Sequence, residues 1–219
     1  MSAVVFDAYG TLFNLDSLLP LVTAFVGDEH KAKRITRVWR TKQLDYAWTS
    51  VLMNRFQDFD KLTDLALKFA LQDNGVYDEK IVRRLVQAYV SLPLYDDVRG
   101  VLDELATNHK LAILSNGTFR SLQTLTNSAG VMFSFDYILS TEPIRTYKPA
   151  REAYDLALQK LGNEKSDIVF VSSNHWDVTG AKAFGFRTYW CNRTGQTPDP
   201  LSPAPDGIIT SLADLPSLL

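Results

Sequence analysis

Three short apolar runs in this chain stop abruptly at residues able to do chemistry. Ala3-Val4-Val5-Phe6 ends at Asp7, Leu111-Ala112-Ile113-Leu114 at Ser115-Asn116-Gly117, and Ile168-Val169-Phe170-Val171 at Ser172-Ser173-Asn174. Apolar runs of this length bounded by polar loops read as fully buried strands. A carboxylate at such a strand end is held rigidly and partly desolvated, which suits a nucleophile that forms a covalent intermediate. Taken alone, Asp7 reads more readily as a loop aspartate that caps backbone amides. Three polar strand ends in one chain shift the reading toward a site.

Helical patterns lie between these runs: Val98, Val101, Leu102 and Leu105, then Ala153, Leu156, Ala157 and Leu161 before a stop at Gly162. Strands alternating with helices imply a doubly wound, Rossmann-like parallel α/β sheet, with all strand carboxyl ends on one edge. Asp7, Ser115 and Ser172 are then expected to meet there. From Leu15 to Leu92 the strand signal gives way to helical periodicity, carried by Ile35, Val38, Trp39, Trp48, Leu52, Phe56, Leu65, Phe69, Ile81 and Leu85. This reads as an inserted helical cap over residues 15–92, on a core made of 1–14 and 93–219. The alternative is that these helices are covering layers of a single sheet domain. Pro198, Pro200, Pro203 and Pro205 mark residues 196–207 as an irregular loop, before a short strand at Ile208-Ile209 and a terminal helix.

The 219 residues are 46% hydrophobic and 22% charged, an ordinary composition for a chain with a packed core. Lys+Arg 23 against Asp+Glu 25 leaves a net charge of -2, without the basic excess that binds nucleic acid or anionic lipid. No apolar run reaches the roughly 20 residues of a membrane helix. A single cysteine, Cys191, and the absence of a signal-peptide pattern give the expectation of a cytoplasmic protein. His30 and His109 read as surface residues and Cys191 as a small buried hydrophobe. Trp39, Trp48, Phe56 and Phe69 exceed what a thin helical layer buries, which suggests a homodimer through the cap.

Four ordered segments carry a family resemblance: Phe6-Asp7-Ala8-Tyr9-Gly10-Thr11-Leu12, Leu114-Ser115-Asn116-Gly117, Tyr147-Lys148-Pro149 and Phe170-Val171-Ser172-Ser173-Asn174-His175-Trp176-Asp177. They resemble the four motifs of the haloacid-dehalogenase superfamily. With Val38-Trp39-Arg40-Thr41-Lys42-Gln43-Leu44 and Cys191-Asn192-Arg193-Thr194-Gly195 added, the chain is most similar to the L-2-haloacid dehalogenases over essentially its whole length. Most superfamily members are magnesium-dependent phosphatases, and this chain departs from them in two places. Tyr9 stands where they carry a general acid, which an alkoxide leaving group needs and a halide does not. Asn174 stands where they carry an acidic metal ligand, in a loop tighter than the usual one. No metal and no organic cofactor is expected. A small-molecule phosphatase with an unusual metal site is the alternative.

The resemblance implies that Asp7 attacks the halogen-bearing carbon of a short L-2-haloalkanoic acid, inverts it and expels halide. Water then cleaves the ester to release a D-2-hydroxy acid. Lys148 holds Asp7 ionised, and Asp177 either activates the water or orients Lys148, with Asn174 and Ser172 positioning the water. Ser115 and the amides of Ala8 and Tyr9 match the cradle for the substrate carboxylate, with Thr11 supporting the nucleophile. Arg40 and Asn116 match the pair that takes up halide, while Tyr9, Leu44, Phe59 and Trp176 match the apolar wall. By spacing alone Arg40 is a solvated helix charge. Tyr154 matches a residue near the site and reads nearly as well as a structural tyrosine. His175 is assigned access control or nothing.

Overall fold

The computed structural model describes residues 2–200 and 203–219. Six strands, β1 (Ala3–Phe6), β2 (Lys110–Ser115), β3 (Tyr137–Ser140), β4 (Ile168–Ser172), β5 (Arg187–Cys191) and β6 (Gly207–Ile209), form one parallel sheet in the order β3-β2-β1-β4-β5-β6. The three apolar runs are its central strands. β3 and β5 carry no such run: the first is a four-residue edge strand opening on half-buried Tyr137, and Arg187 at the start of the second is exposed.

Along the strands, burial alternates between two apolar clusters, as a pleat requires. Val4, Phe6, Leu111, Ile113, Val169 and Val171 face α5 (Val98–Leu105) and α6 (Phe119–Ser128), whereas Ala3, Val5, Ala112, Leu114, Ile168 and Phe170 face α7 (Arg151–Leu161) and α8 (His175–Phe184). Helices thus cover both faces of a doubly wound sheet. Helix α7 stops where expected, at Gly162, whose φ of 67° suits a residue without Cβ.

The segment between β1 and β2 begins with α1 (Leu18–Val26), α2 (Glu29–Leu52), α3 (Phe59–Asp73) and α4 (Glu79–Tyr89), which pack chiefly on one another. Asp28, Asp58 and Asp78 start the last three by accepting the amides of Lys31, Lys61 and Lys80. Polar bonds join this bundle to the sheet: Trp48 Nε1 donates to the Lys148 carbonyl at 2.9 Å, and Thr118 and Ser121 donate to Asp60 at 2.7 and 2.8 Å.

Several expectations need correction. The last residues form only two 3-10 turns, Leu212–Asp214 and Pro216–Leu218, because Pro216 offers no N–H to continue a helix. Of the four bundle aromatics, Trp39 is buried and Trp48 and Phe56 are half-buried within the chain, whereas Phe69 is exposed. His109 is half-buried, with Nδ1 2.7 Å from Ser2 Oγ. The proline-rich segment is irregular where described, and residues 201 and 202 lie outside the described residues. Among the described residues, no helix is long and apolar enough to cross a membrane.

Asp97, just before α5, closes the sheet's far side. It accepts Arg193 Nη1 and Nη2 at 2.8 and 2.9 Å, Ser211 Oγ at 2.6 Å and the Leu212 amide at 2.8 Å. Arg193 in turn donates to the Thr11 carbonyl at 3.1 Å, so the loop after β1 leans on this clamp. Burial pushes the Asp97 carboxyl up, but its bonds to Arg193 and Ser211 outweigh that and hold it below the usual carboxylate range. A carboxyl depressed in the folded state stabilises above its unfolded pKa, and the gain disappears as pH falls through the lower folded value. Asp97→Ala is expected to lose about 2 kcal/mol in urea unfolding at pH 7. The gap from wild type should shrink steadily as unfolding is repeated below about pH 4.

Candidate active site

Phe6 is registered between Ile113 of β2 and Val171 of β4, so Asp7 leaves the sheet at its middle, where the strand order reverses. Ligands of open parallel sheets sit in this crevice. Asp7 is 4% exposed, and both its carboxylate oxygens are held. Lys148 Nζ donates to Oδ1 at 2.8 Å, while Thr11 Oγ1 and Asn174 Nδ2 donate to Oδ2, each at 2.8 Å. Thr11 Oγ1 is itself fixed by the Ser173 amide at 2.8 Å.

Lys148 is buried and spends all three ammonium protons: on Asp7, on the Leu114 carbonyl at 2.9 Å and on Asp177 Oδ2 at 2.6 Å. Its main chain is pinned by Asn116 Oδ1, which accepts the Lys148 amide at 2.8 Å. Burial would lower the Lys148 pKa, but the two carboxylates outweigh it and raise the value. Asp177 is fully buried, its other oxygen accepting the Tyr154 hydroxyl at 2.9 Å. Desolvation pushes the Asp177 carboxyl up to about 6, against the pull of Lys148 and with the negative charge of Asp7 adding to the rise.

A small cavity of about 10 Å³ sits over Asp7, walled by Tyr9, Arg40, Leu44, Phe59, Ser115, Asn116, Lys148 and Trp176. Ser115 Oγ accepts the Gly117 amide at 3.2 Å, which leaves its own proton free to donate inward. Asn116 spends its oxygen on Lys148 and keeps its Nδ2 donors for the cavity. Tyr9 stacks on Tyr89 at 5.0 Å, and burial, with Tyr89 and Asp60 nearby, raises its hydroxyl pKa well above the usual value. It is a wall and not an acid.

Arg40 comes from α2, on the far side of the cavity from β1. Its Nη1 donates to Gln43 Oε1 at 2.7 Å and its Nη2 to Asn174 Oδ1 at 3.3 Å. Gln43, fully buried, donates to Thr63 Oγ1 at 2.6 Å and to the Tyr89 hydroxyl at 3.0 Å. Gln43 and Tyr89 were not singled out as site residues from the sequence. The spacing of Arg40 and Gln43, three apart on one helix face, was the available signal for the first, and Tyr89 had none.

Four proposed site residues, Tyr154, Asp177, Ala8 and Ser172, are not among those lining the cavity. Tyr154 is fully buried against Asp177, so the structure does not place it beside a substrate, and Asp177 itself is reached only through Lys148. Ala8 is fully buried, and Ser172 Oγ accepts the Asn174 amide at 3.1 Å. His175 packs its ring on Trp190 at 4.6 Å.

The donor set does not fit a divalent ion. Asp7 and Asp177, the carboxylates that would have to share it, both close on Lys148, and no cluster of three or more His, Cys, Asp or Glu side chains suited to a metal exists among the described residues.

The sequence model of haloacid dehalogenase-like hydrolases matches residues 1–185. The (S)-2-haloacid dehalogenase of Pseudomonas sp. (strain YL) is 41% identical over 215 residues, covering 97% of this chain and 91% of that one. The chain is a member of the L-2-haloacid dehalogenases, within the haloacid dehalogenase-like hydrolases. The solved L-2-haloacid dehalogenase of Xanthobacter autotrophicus is 38% identical with a TM-score of 0.91, covering 100% of this chain and 98% of that one. A second structure of that enzyme, 37% identical with a TM-score of 0.92 over the same shares, has chloropropionic acid covalently bound.

In this dehalogenase the Asp177 carboxyl should set an acidic limb near pH 6 in the kcat profile. Tyr154→Phe removes a hydrogen bond to the ionised form and is expected to move that limb upward by up to about one pH unit. A second variant probes the same contact from α8. A Cβ at Gly180 would meet the Tyr154 ring carbon Cζ at 3.0 Å and Pro149 Cβ at 2.5 Å. Gly180→Ala should therefore cost about 2 kcal/mol in thermal unfolding and lower kcat with little change in KM.

Proposed function

We propose that the chain hydrolyses short L-2-haloalkanoic acids to D-2-hydroxy acids through an ester on Asp7. The observation that carries this reading is the setting of Asp7: a carboxylate paired with a buried ammonium at 2.8 Å and facing a small, mainly apolar cavity whose donors are Ser115, Asn116 and Arg40. In the first step an Asp7 oxygen forms a bond to the carbon bearing the halogen. The carbon–halogen bond breaks on the opposite side and the halide departs with its electron pair, which inverts the carbon. Halide is a weak base, so the positive and hydrogen-bonding groups of Arg40 and Asn116 suffice and no proton is needed. Ser115 and the amides of Ala8 and Tyr9 receive the substrate carboxylate, and Leu44, Phe59 and Trp176 hold its alkyl group.

In the second step water adds to the Asp7 side-chain carbonyl carbon and the hydroxy acid leaves, restoring the carboxylate. Asp177 takes up one water proton through the Lys148 ammonium, which it also orients, and that proton passes to the departing alkoxide oxygen as the ester C–O bond breaks, while the second water proton is lost to solvent; Asn174 and Ser172 position the water. Residues 15–92 act as a cap that brings Arg40 over the core formed by 1–14 and 93–219. A homodimer belongs to the same reading: Leu52, 83% exposed, ends α2, and Met53, 60% exposed, lines a groove with exposed Phe69. So does a cytoplasmic location, in keeping with one buried free thiol.

Halide release from L-2-chloropropionate alone of the two enantiomers, in excess chelator and abolished by Asp7→Ala, is the expected result. A single turnover in heavy-oxygen water should leave the label in the Asp7 carboxylate and not in the hydroxy acid. Label in the product would replace the ester with direct attack by water. Magnesium-dependent release of phosphate from an ester, with no halide release, would favour a phosphatase.

A further inference from the structure

The cavity over Asp7 holds barely the room of one water, so a haloacid reaches Asp7 only when a wall side chain moves. Outside it, between α2 and the turn at Leu15–Ser17, lies a second cleft of about 460 Å³. Among the residues lining the two spaces, Arg40 is the only one they share. Its guanidinium is therefore the partition between them. It is anchored on its own helix by the short bond to Gln43 and latched to the sheet side only by the 3.3 Å bond to Asn174. An anion arriving from the cleft offers Nη2 a charged acceptor in place of that neutral amide, and charge-assisted bonds are the stronger kind.

One turn before Arg40 on the same helix, Arg37 also lines the cleft and is exposed. Its neighbours are paired, Lys33 with Glu29 at 2.6 Å and Arg34 with Asp73 at 3.4 Å. Arg37 has no carboxylate within salt-bridge distance among the described residues, so its field is not cancelled locally. Asp16, on the opposite lip, is the acidic residue of the lining.

We propose that this cleft is the port through which the anionic substrate reaches Asp7, with Arg37 its first binding station and Arg40 the door. The proposal rests on the haloacid reading above for the identity of the anion, and on the shared wall for the route. Arg37 draws the carboxylate in, Asp16 opposes it, and the anion then displaces Asn174 from Arg40 to pass inward.

The test is the association rate of L-2-chloropropionate with the Asp7→Asn chain, followed by the fluorescence of Trp39 and Trp176, which line the outer and inner spaces. At low ionic strength Arg37→Glu is expected to slow association roughly tenfold, the low end of electrostatic steering, and Asp16→Asn to speed it. Both effects should fade at about 0.5 M salt, where charges several ångströms apart are screened. Thr36→Trp, which fills the cleft, should slow association at every salt concentration. Association unchanged by all three substitutions, in a chain that releases halide when Asp7 is intact, overturns the port and leaves the dehalogenase reading standing. Binding that depends on Arg37 in a chain that releases no halide overturns dehalogenation and leaves the port. No binding together with no halide release overturns both, and no binding in a chain that releases halide overturns the port alone.

Discussion

One ammonium group holds this molecule's chemistry together. Lys148 Nζ sits between Asp7 at the end of β1 and Asp177 in the first turn of α8, with its third proton on the last apolar residue of β2. Placing three ionised groups out of water costs more than packing apolar side chains in the same space, so such clusters are poor candidates for stabilising a fold. They persist where a charged state is needed. The sheet supplies the geometry: three parallel strands in fixed register bring their ends within one side chain's length. The remainder of the site then holds the lysine in place, with Asn116 on its amide, Trp48 on its carbonyl and Tyr154 behind Asp177.

The excess of carboxylate over ammonium in this cluster has an electrical effect on what binds nearby. An acid substrate meets a region of net negative charge at its reacting carbon, and its own carboxylate must be held away from Asp7. Ser115, the last residue of β2, lines the cavity with Asn116 just beyond the strand and with Arg40 of α2, and on the proposed reading Ser115 takes the carboxylate while Asn116 and Arg40 take the halide. Distributing donors in this way separates the substrate's permanent charge from the charge being expelled, which is how a single small pocket can bind one anion while releasing another.

Much of this was legible in the sequence because the determining features are local. A run such as Ala3–Phe6 can only be a buried strand, and its end marks the crevice. Ser115 and Ser172 follow by the same logic, and Lys148 follows from its motif. The strands β3 and β5 were not legible, since Tyr137–Ser140 and Arg187–Cys191 are short and mix polar with apolar residues, and their conformation is imposed by neighbours. The terminal helix failed for a related reason, with Pro216 breaking a periodicity too short to resist it. Within the site, side chains that touch the cavity could be read from type and motif. The direction a buried one faces could not, which is why Tyr154 was assigned to the substrate and is found against Asp177. Gln43 could be sought only through its spacing from Arg40, and Tyr89 acts through a contact between distant segments that no spacing along the chain encodes.

Asp7 is fixed to the sheet, whereas Arg40 is fixed to the helical bundle by Gln43, which is itself tied to α3 and to Tyr89 of α4. The two groups thus come from different segments of the chain, which meet along a seam made both of one shared apolar cluster and of hydrogen bonds. On the proposed reading the two groups close on the substrate as a pair of jaws does, and the gap between them sets the line and length of attack. A longer or bulkier acid need not clash with any single residue to be a poor substrate. It has only to prop the jaws open by a fraction of an ångström, and selectivity then resides in the stiffness of the seam.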